Sequence, residues 1–350
     1  MTSNSSVLLP TGQAMPILGF GTWNINGKEL EVALDAALTA GYRHIDTATA
    51  YENECVIGNV LKKWFDAGKL KRSDLFIVTK LPPNGNRAKD VEKWIKKSLA
   101  NLQISYLDLY LIHVPFAFEN GEDLHPCNEN GEIRIDVDTD HLQIWSAMEK
   151  QVLEKRTKAI GLSNFNIGQI KKILNNAKLP VSNLQIELHG YFQQKELVYK
   201  SYISFKYISV TILIFINVKY ICIFFQVKFC QDNNISITAY SPLGSRGVVT
   251  KMGKTDTIPN LLEDPTVLKI AEKYNKTPAQ ILLKHIIQKG IIAIPKSSTP
   301  TRIKENIQLF DWELRVEDID MLNNNDMEEC ARICTFCFFK GIEKHPEFPF

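Results

Sequence analysis

Residues 41–58, GYRHIDTATAYENECVIG, combine a short strand, a turn and the start of a helix. Arg43-His44-Ile45-Asp46 reads as a short strand. The loop after it carries Tyr51, and an amphipathic helix begins near Glu54. The strand therefore delivers an aspartate and a tyrosine to one edge of a sheet or barrel. A buried acid beside a phenol is costly unless a cation joins it. The remainder of the chain must supply that cation, an orienting group and a cofactor.

Outward from this stretch further short strands follow. Residues 15–22, 43–46, 75–80, 107–113, 158–162, 183–187, 235–240 and 290–296 read as short apolar strands. Helical spacing fills residues 29–40, 54–68, 88–102, 138–154, 167–175, 266–274 and 277–288 between them. Gly41 is a C-cap signal, Thr139 and Asp140 are N-cap candidates, and Thr277-Pro278 is a cap followed by an N1 proline. Alternating strands and helices imply a parallel sheet. Eight units suit a single α/β domain over residues 1–350, a (β/α)8 TIM barrel. Asp46, Lys80, His113, Asn164, Gln185, Tyr240 and Lys296 sit at or just past strand C-terminal ends, the face on which barrel active sites lie. A dinucleotide fold would need G-x-G-x-x-G after the first strand. Gly19-Phe20-Gly21 is followed by TWNING, which misplaces the third glycine and excludes that fingerprint.

Composition excludes other classes. The net charge of +2 provides no electrostatic footprint for nucleic acid. The opening MTSNSSVLLPTGQAMP lacks a basic region followed by an apolar core, so no secretory signal is expected. Seven irregularly spaced cysteines read as reduced thiols of a cytoplasmic protein. Cys330, Cys334 and Cys337 lack a fourth ligand at suitable spacing, so no metal is expected.

Residues 198–226 do not fit. They read VYKSYISFKYISVTILIFINVKYICIFFQ and contain no Asp, Glu, Gly, Pro, Ala or Arg. The longest uncharged stretch, between Lys206 and Lys219, is 12 residues, against about 20 for a membrane span. Both neighbours read as one helix, in which Leu197 would precede Phe229 and Cys230 by three and four positions once the segment is removed. Ile, Phe, Tyr, Lys and Asn have A/T-rich codons, and residues with G/C-rich codons are missing. The segment reads as translated intron. Without its 29 residues the chain has 321, with 38 basic against 39 acidic residues.

The motifs GYRHIDTATAYENE, IVTKLPP, LDLYLIHVP, KAIGLSNFN, LQIELHGY, ITAYSPLGS and IPKSSTPTRIKEN occur in this order. With them the chain resembles the aldo-keto reductases, and aldose reductase-like members in particular, over everything except residues 198–226. The resemblance implies a monomeric NADPH-dependent reductase of small-molecule aldehydes and ketones, with no membrane or nucleic-acid partner. It implies a catalytic tetrad of Asp46, Tyr51, Lys80 and His113. A free phenol, with a pKa of about 10, donates sluggishly at neutral pH. The Lys80 ammonium should lower that value, with Asp46 holding Lys80 charged. Tyr51 is then the general acid and His113 orients the carbonyl. His44 and His189 are expected to be structural.

The resemblance also implies cofactor contacts. Thr22, Ser163, Asn164 and Gln185 fall on the nicotinamide side, and Tyr240 stacks on the ring. Ser241, Leu243 and Ser245 form the pyrophosphate loop. Lys296, Ser297 and Arg302, at the last strand end and the next helix start, take the 2′-phosphate, which favours NADPH over NADH. Glu305 and Asn306 contact adenine. The substrate pocket departs from the aldose reductase pattern. Trp23 matches a pocket tryptophan, but Val114 follows the histidine where aldose reductase has tryptophan, and Leu81-Pro82-Pro83 follows Lys80. Gly190 stands where proline is usual. The pocket is expected to be more open and less aromatic, with residues 332–350 closing over it and Phe336, Phe338 and Phe339 as wall or anchor residues. Two other functions fit the same barrel: a cofactor-sensing subunit, as in channel-associated relatives, or an inactive product if residues 198–226 are translated.

Overall fold

The computed structural model describes residues 6–194 and 226–350. Eight parallel strands form one curled sheet: β3 (Phe20–Gly21), β4 (His44–Asp46), β5 (Phe76–Leu81), β6 (Leu107–Ile112), β7 (Thr157–Ser163), β8 (Asn183–Glu187), β9 (Ser236–Tyr240) and β10 (Ile292–Ala293). They are hydrogen-bonded in sequence order. The sheet closes on itself through a parallel bridge between Leu18 and Ala293. Ala293 N donates to Ile17 O at 2.9 Å, and Gly19 N donates to Ala293 O at 2.8 Å. Closure needs small residues. A Cβ on Gly21 would lie 2.6 Å from Ile294 O, and one on Gly19 would lie 2.6 Å from the His44 ring. The fold is the expected (β/α)8 barrel.

Helices α1 (Gly27–Ala40), α2 (Glu54–Asp66), α3 (Val91–Leu102), α4 (His141–Leu153), α5 (Ile167–Leu174) and α6 (Gln226–Asp232) alternate with the strands. They are followed by α7 (Arg246–Lys251), α8 (Pro265–Tyr274), α9 (Pro278–Ile287), α10 (Pro300–Asn306) and α11 (Val316–Asn323). The caps explain several starts and stops. Gly41 takes a left-handed φ of 106° and its N–H returns to Ala37 and Leu38. Asp140 accepts from Leu142 N and Gln143 N. Thr277 and Gln280 form a capping box before Pro278.

Two expected strands are altered. Residues 15–22 divide into β2 (Ala14–Pro16), antiparallel to β1 (Ser6–Leu8), and the barrel strand β3. Residues 290–296 contract to Ile292–Ala293, because Pro295 has no N–H to continue a ladder. The β1–β2 hairpin and α11 are not among the expected elements. Most of residues 198–226 lies outside the described residues, as does Leu197, so the proposed helix join there is undescribed. On its C-terminal side Cys230 is fully buried and Phe229 packs against the core. His44 is also core, edge-on to Phe76 with Nδ1 3.1 Å from Pro16 O.

Candidate active site

Asp46 ends β4, Lys80 lies near the end of β5, and His113 follows β6. Parallel pairing sets Asp46 opposite Val78, one pleat before Lys80 on the same face. The Lys80 side chain is completely buried. Its Nζ donates to Asp46 Oδ1 at 2.6 Å, to Thr47 O at 2.8 Å and to the Tyr51 hydroxyl at 3.4 Å. All three ammonium protons are thus engaged. Gln185 Nε2 donates to Asp46 Oδ2 at 2.7 Å, so the carboxylate is held from both oxygens. Tyr51 is placed by a short 3₁₀ turn, Thr49–Tyr51, and its ring stands edge-on to His113 with centroids 5.6 Å apart.

The electrostatics differ from expectation in one respect. Tyr51 is held well above the ordinary phenol value, first by burial, then by the Asp46 charge and by Cys334. The expected lowering by Lys80 does not appear. Burial lowers Lys80 itself, opposed by Asp46, and the ammonium reaches Tyr51 only at 3.4 Å. The phenol therefore keeps its proton through the neutral range. Burial, followed by the Lys80 charge, holds His113 well below the usual imidazole value. His113 is neutral, and its Nδ1 is buried without a hydrogen-bond partner. The arrangement can present a protonated phenol and a neutral imidazole to one polar atom.

The neighbouring strand ends bring together the residues expected on the nicotinamide side. Ser163 and Gln185 are in register, as are Glu187 and Tyr240. Asn164, in left-handed conformation, donates to His113 O at 2.9 Å and to Ser163 Oγ at 3.0 Å. Tyr240 OH donates to Asn164 Oδ1 at 2.8 Å, which fixes the Tyr240 ring. Thr22 is buried and donates to Asp46 O. Farther out, Ser241, Gly244 and Ser245 have positive φ, and Leu243 lies in this turn before α7. Lys296 and Arg302 are exposed, and neither is paired with a carboxylate among the described residues. Ser297 Oγ accepts from Thr299 N, Glu305 O accepts from Gln280, and Asn306 is buried. Two exposed cations without a carboxylate partner are chemically suited to an anion.

Residues 332–350 lie across this face. Phe336 packs on Phe116 and Phe350, and Phe339 on Phe118 and His125. Val114 is buried in the same aromatic cluster. Phe338 is 61% exposed and Trp23 43%. Phe336 and Phe339 are thus anchors of the segment.

Sequence reasoning missed the residue that holds this segment down. Glu187, fully buried, accepts from Ile333 N at 2.8 Å, Cys334 N at 2.6 Å and the His189 ring at 3.0 Å. The signal was present: Asn183, Gln185 and Glu187 alternate onto one face. His189 is structural, as expected. Burial pushes Glu187 upward. The His189 hydrogen bond and charge, Arg332 and Ile333 N outweigh it and hold the carboxyl below its usual 4.5. An acid depressed in the folded state stabilises fully above its unfolded value and loses that stabilisation as pH falls through the folded value. The hydrogen-exchange protection of the Ile333 and Cys334 amides should therefore be high at pH 5 and fall once the pH is well below 4.5. Equal protection at both pH values, or in Glu187→Gln, would refute the clamp.

Burial, then the Glu187 charge, pushes the Cys334 thiol up to about 12, so it is protonated beside Tyr240. Gln194 and Gln226, at either edge of residues 195–225, line one small cavity with Asn164 and Glu187. No described helix is long and apolar enough to cross a membrane.

The sequence profile of the Aldo/keto reductase family matches residues 17–203 and 226–326, passing over 204–225. Aldo-keto reductase family 1 member A1-A of Danio rerio is 42% identical over 354 residues, covering 99% of this chain and 98% of the relative. Aldo-keto reductase family 1 member A1 of Homo sapiens is 41% identical, covering 91% and 88%. Among solved structures, the aldose reductase from Schistosoma japonicum superposes with a TM-score of 0.82 at 37% identity, covering 99% and 98%.

Proposed function

Because the chain belongs to the aldo/keto reductase family, we propose that it reduces aldehydes or ketones to alcohols with NADPH as the preferred cofactor. The observation that carries the reading is the buried Lys80 ammonium bonded at once to Asp46 and to the Tyr51 hydroxyl, with His113 beside the phenol. NADPH, when bound, supplies the hydride, which no side chain can furnish.

The remaining work falls to this chain. Tyr51 gives its proton to the carbonyl oxygen as negative charge develops there, and the adjacent Lys80 ammonium stabilises the phenolate left behind. Asp46 keeps the ammonium in place. The neutral His113 orients the carbonyl by hydrogen bond. Ser163, Asn164 and Gln185 would hold the nicotinamide carboxamide, with Thr22 supporting Asp46 and the Tyr240 ring forming the floor. Ser241, Leu243 and Ser245 would border the pyrophosphate, and Glu305 and Asn306 the adenine. The unpaired Lys296 and Arg302, with Ser297, fit a 2′-phosphate, a group that NADH lacks. Aromatic residues of the C-terminal segment exclude water from the reacting atoms. We place this activity in one barrel domain acting as a cytoplasmic monomer.

The test is NADPH oxidation by the purified chain, and by a form lacking residues 198–226, against aldehydes, ketosteroids and keto-sugars. Turnover with NADPH above that with NADH is expected. No turnover in either form would overturn the enzyme reading, and tight NADPH binding without turnover would point to a sensing subunit. An inactive full chain beside an active shortened form would assign the longer sequence to an inactive product. Detection of a peptide joining Leu197 to Val227 in the native protein would establish excision.

A further inference from the structure

Behind the Lys80–Tyr51 pair lies a second buried carboxylate that the reaction described above does not use. Glu54 is the first residue of α2 and is only 2% exposed. Its Oε1 accepts from Thr79 Oγ1 at 2.7 Å and its Oε2 from Asn101 Nδ2 at 3.3 Å, with the Ser98 hydroxyl also on the carboxylate. Ser98 Oγ is 2.9 Å from Thr49 Oγ1, which reaches the carbonyl of Lys80 at 3.1 Å.

This network touches both halves of the acid. Thr49 opens the 3₁₀ turn that ends at Tyr51. Thr79 and Lys80 are successive residues of β5, so their side chains leave opposite faces of the strand. Asp46 grips the lysine from inside the barrel, and Glu54 grips the strand from outside, one residue earlier. Thr49 gives its proton to Lys80 O, which leaves the single Ser98 proton shared between Thr49 Oγ1 and the Glu54 carboxylate.

We propose that Glu54 is a positioning residue for carbonyl reduction: through Thr79 it locks the start of α2, just after the Tyr51 turn, against the Lys80 strand. The inference rests on Tyr51 being the proton donor. Burial lowers Lys80, and Asp46 and then Glu54 oppose that lowering. Burial likewise raises Glu54, opposed by Thr79, Ser98, Asn101 and the Lys97 charge on α3. Tyr110 on β6 also faces the Glu54 charge, with its hydroxyl buried and unpartnered. Lys80, Lys97 and Tyr110 are the titratable groups shown around this carboxylate.

The experiment is the pH profile of kcat for NADPH-dependent reduction, with NADPH affinity measured by fluorescence, in wild type, Glu54→Gln and Thr79→Val. Gln keeps the shape of Glu54 and removes its charge. Val removes the donor that favours the charge without changing strand propensity. In Glu54→Gln the alkaline limb, where the Lys80–Tyr51 pair loses its proton, should move to lower pH by about half a unit or more. Thr79→Val should move it the same way by less, with NADPH affinity unchanged in both. Profiles that superimpose on wild type would overturn the proposal even if both variants melt earlier, since a merely structural role moves only the melting temperature. If Glu54→Gln fails to fold, Thr79→Val decides alone. A wild type inactive on every carbonyl tested, both with and without residues 198–226, would instead overturn the reductase reading.

Discussion

Tyr51→Phe is expected to lower kcat for carbonyl reduction by about two to four orders of magnitude, the usual worth of a positioned general acid. The substitution removes one oxygen and leaves the ring, which packs edge-on against His113. Lys80 keeps its bonds to Asp46 and Thr47, so the site should not collapse. Apart from Thr22, the expected cofactor residues lie on β7 to β9, in the loops after β7, β9 and β10, and on α10, and none of them bonds the lost hydroxyl among the described residues. NADPH titration should therefore give wild-type affinity while single-turnover reduction fails. Unchanged turnover would remove Tyr51 from the mechanism. Lost NADPH binding would mean that the hydroxyl builds the site and does not serve as the acid.

Lys80→Met should have the largest effect on stability. Lys80 is wholly buried and gives its ammonium to Asp46, itself almost inaccessible. Removing the cation leaves the carboxylate with Gln185 as its remaining side-chain donor. Breaking one side of a buried pair costs about 3–5 kcal/mol, because an uncompensated charge stays behind. Replacing Asp46 by Asn in the same chain removes that charge, so the double variant should recover much of the loss. Urea denaturation of the two single variants and the double variant measures this directly. Additive losses would show that the pair is not coupled and that Asp46 does not support Lys80.

The sequence made the barrel legible because its signals are local. Short apolar runs, Gly41 as a left-handed stop, and the Thr277–Pro278 cap depend on neighbours a few residues away. They placed the strands and the C-terminal edge at which Asp46, Lys80 and His113 meet. The N-terminal hairpin was missed because residues 15–22 form one apolar run, and only pairing with Ser6–Leu8 divides it. The short α11 was missed although Val316, Ile319 and Leu322 recur at helical spacing.

The identity of the polar groups at the strand ends was fixed by residue type and order alone, since inward-facing positions of successive strands must converge in a closed barrel. What those groups do to one another depends on the tertiary structure. Burial, which no local pattern reports, raises Tyr51 where an adjacent ammonium was expected to lower it. The same burial keeps His113 neutral. Glu187 and Glu54 appear in sequence as ordinary acids beside known motifs. Contacts with Ile333 and Cys334, 146 and 147 positions away, make the first a clamp. Contacts with Thr79, Ser98 and Asn101 make the second a support behind the lysine. Charge and hydrogen-bond strength depend on exclusion of water, and exclusion of water is decided by segments distant in sequence.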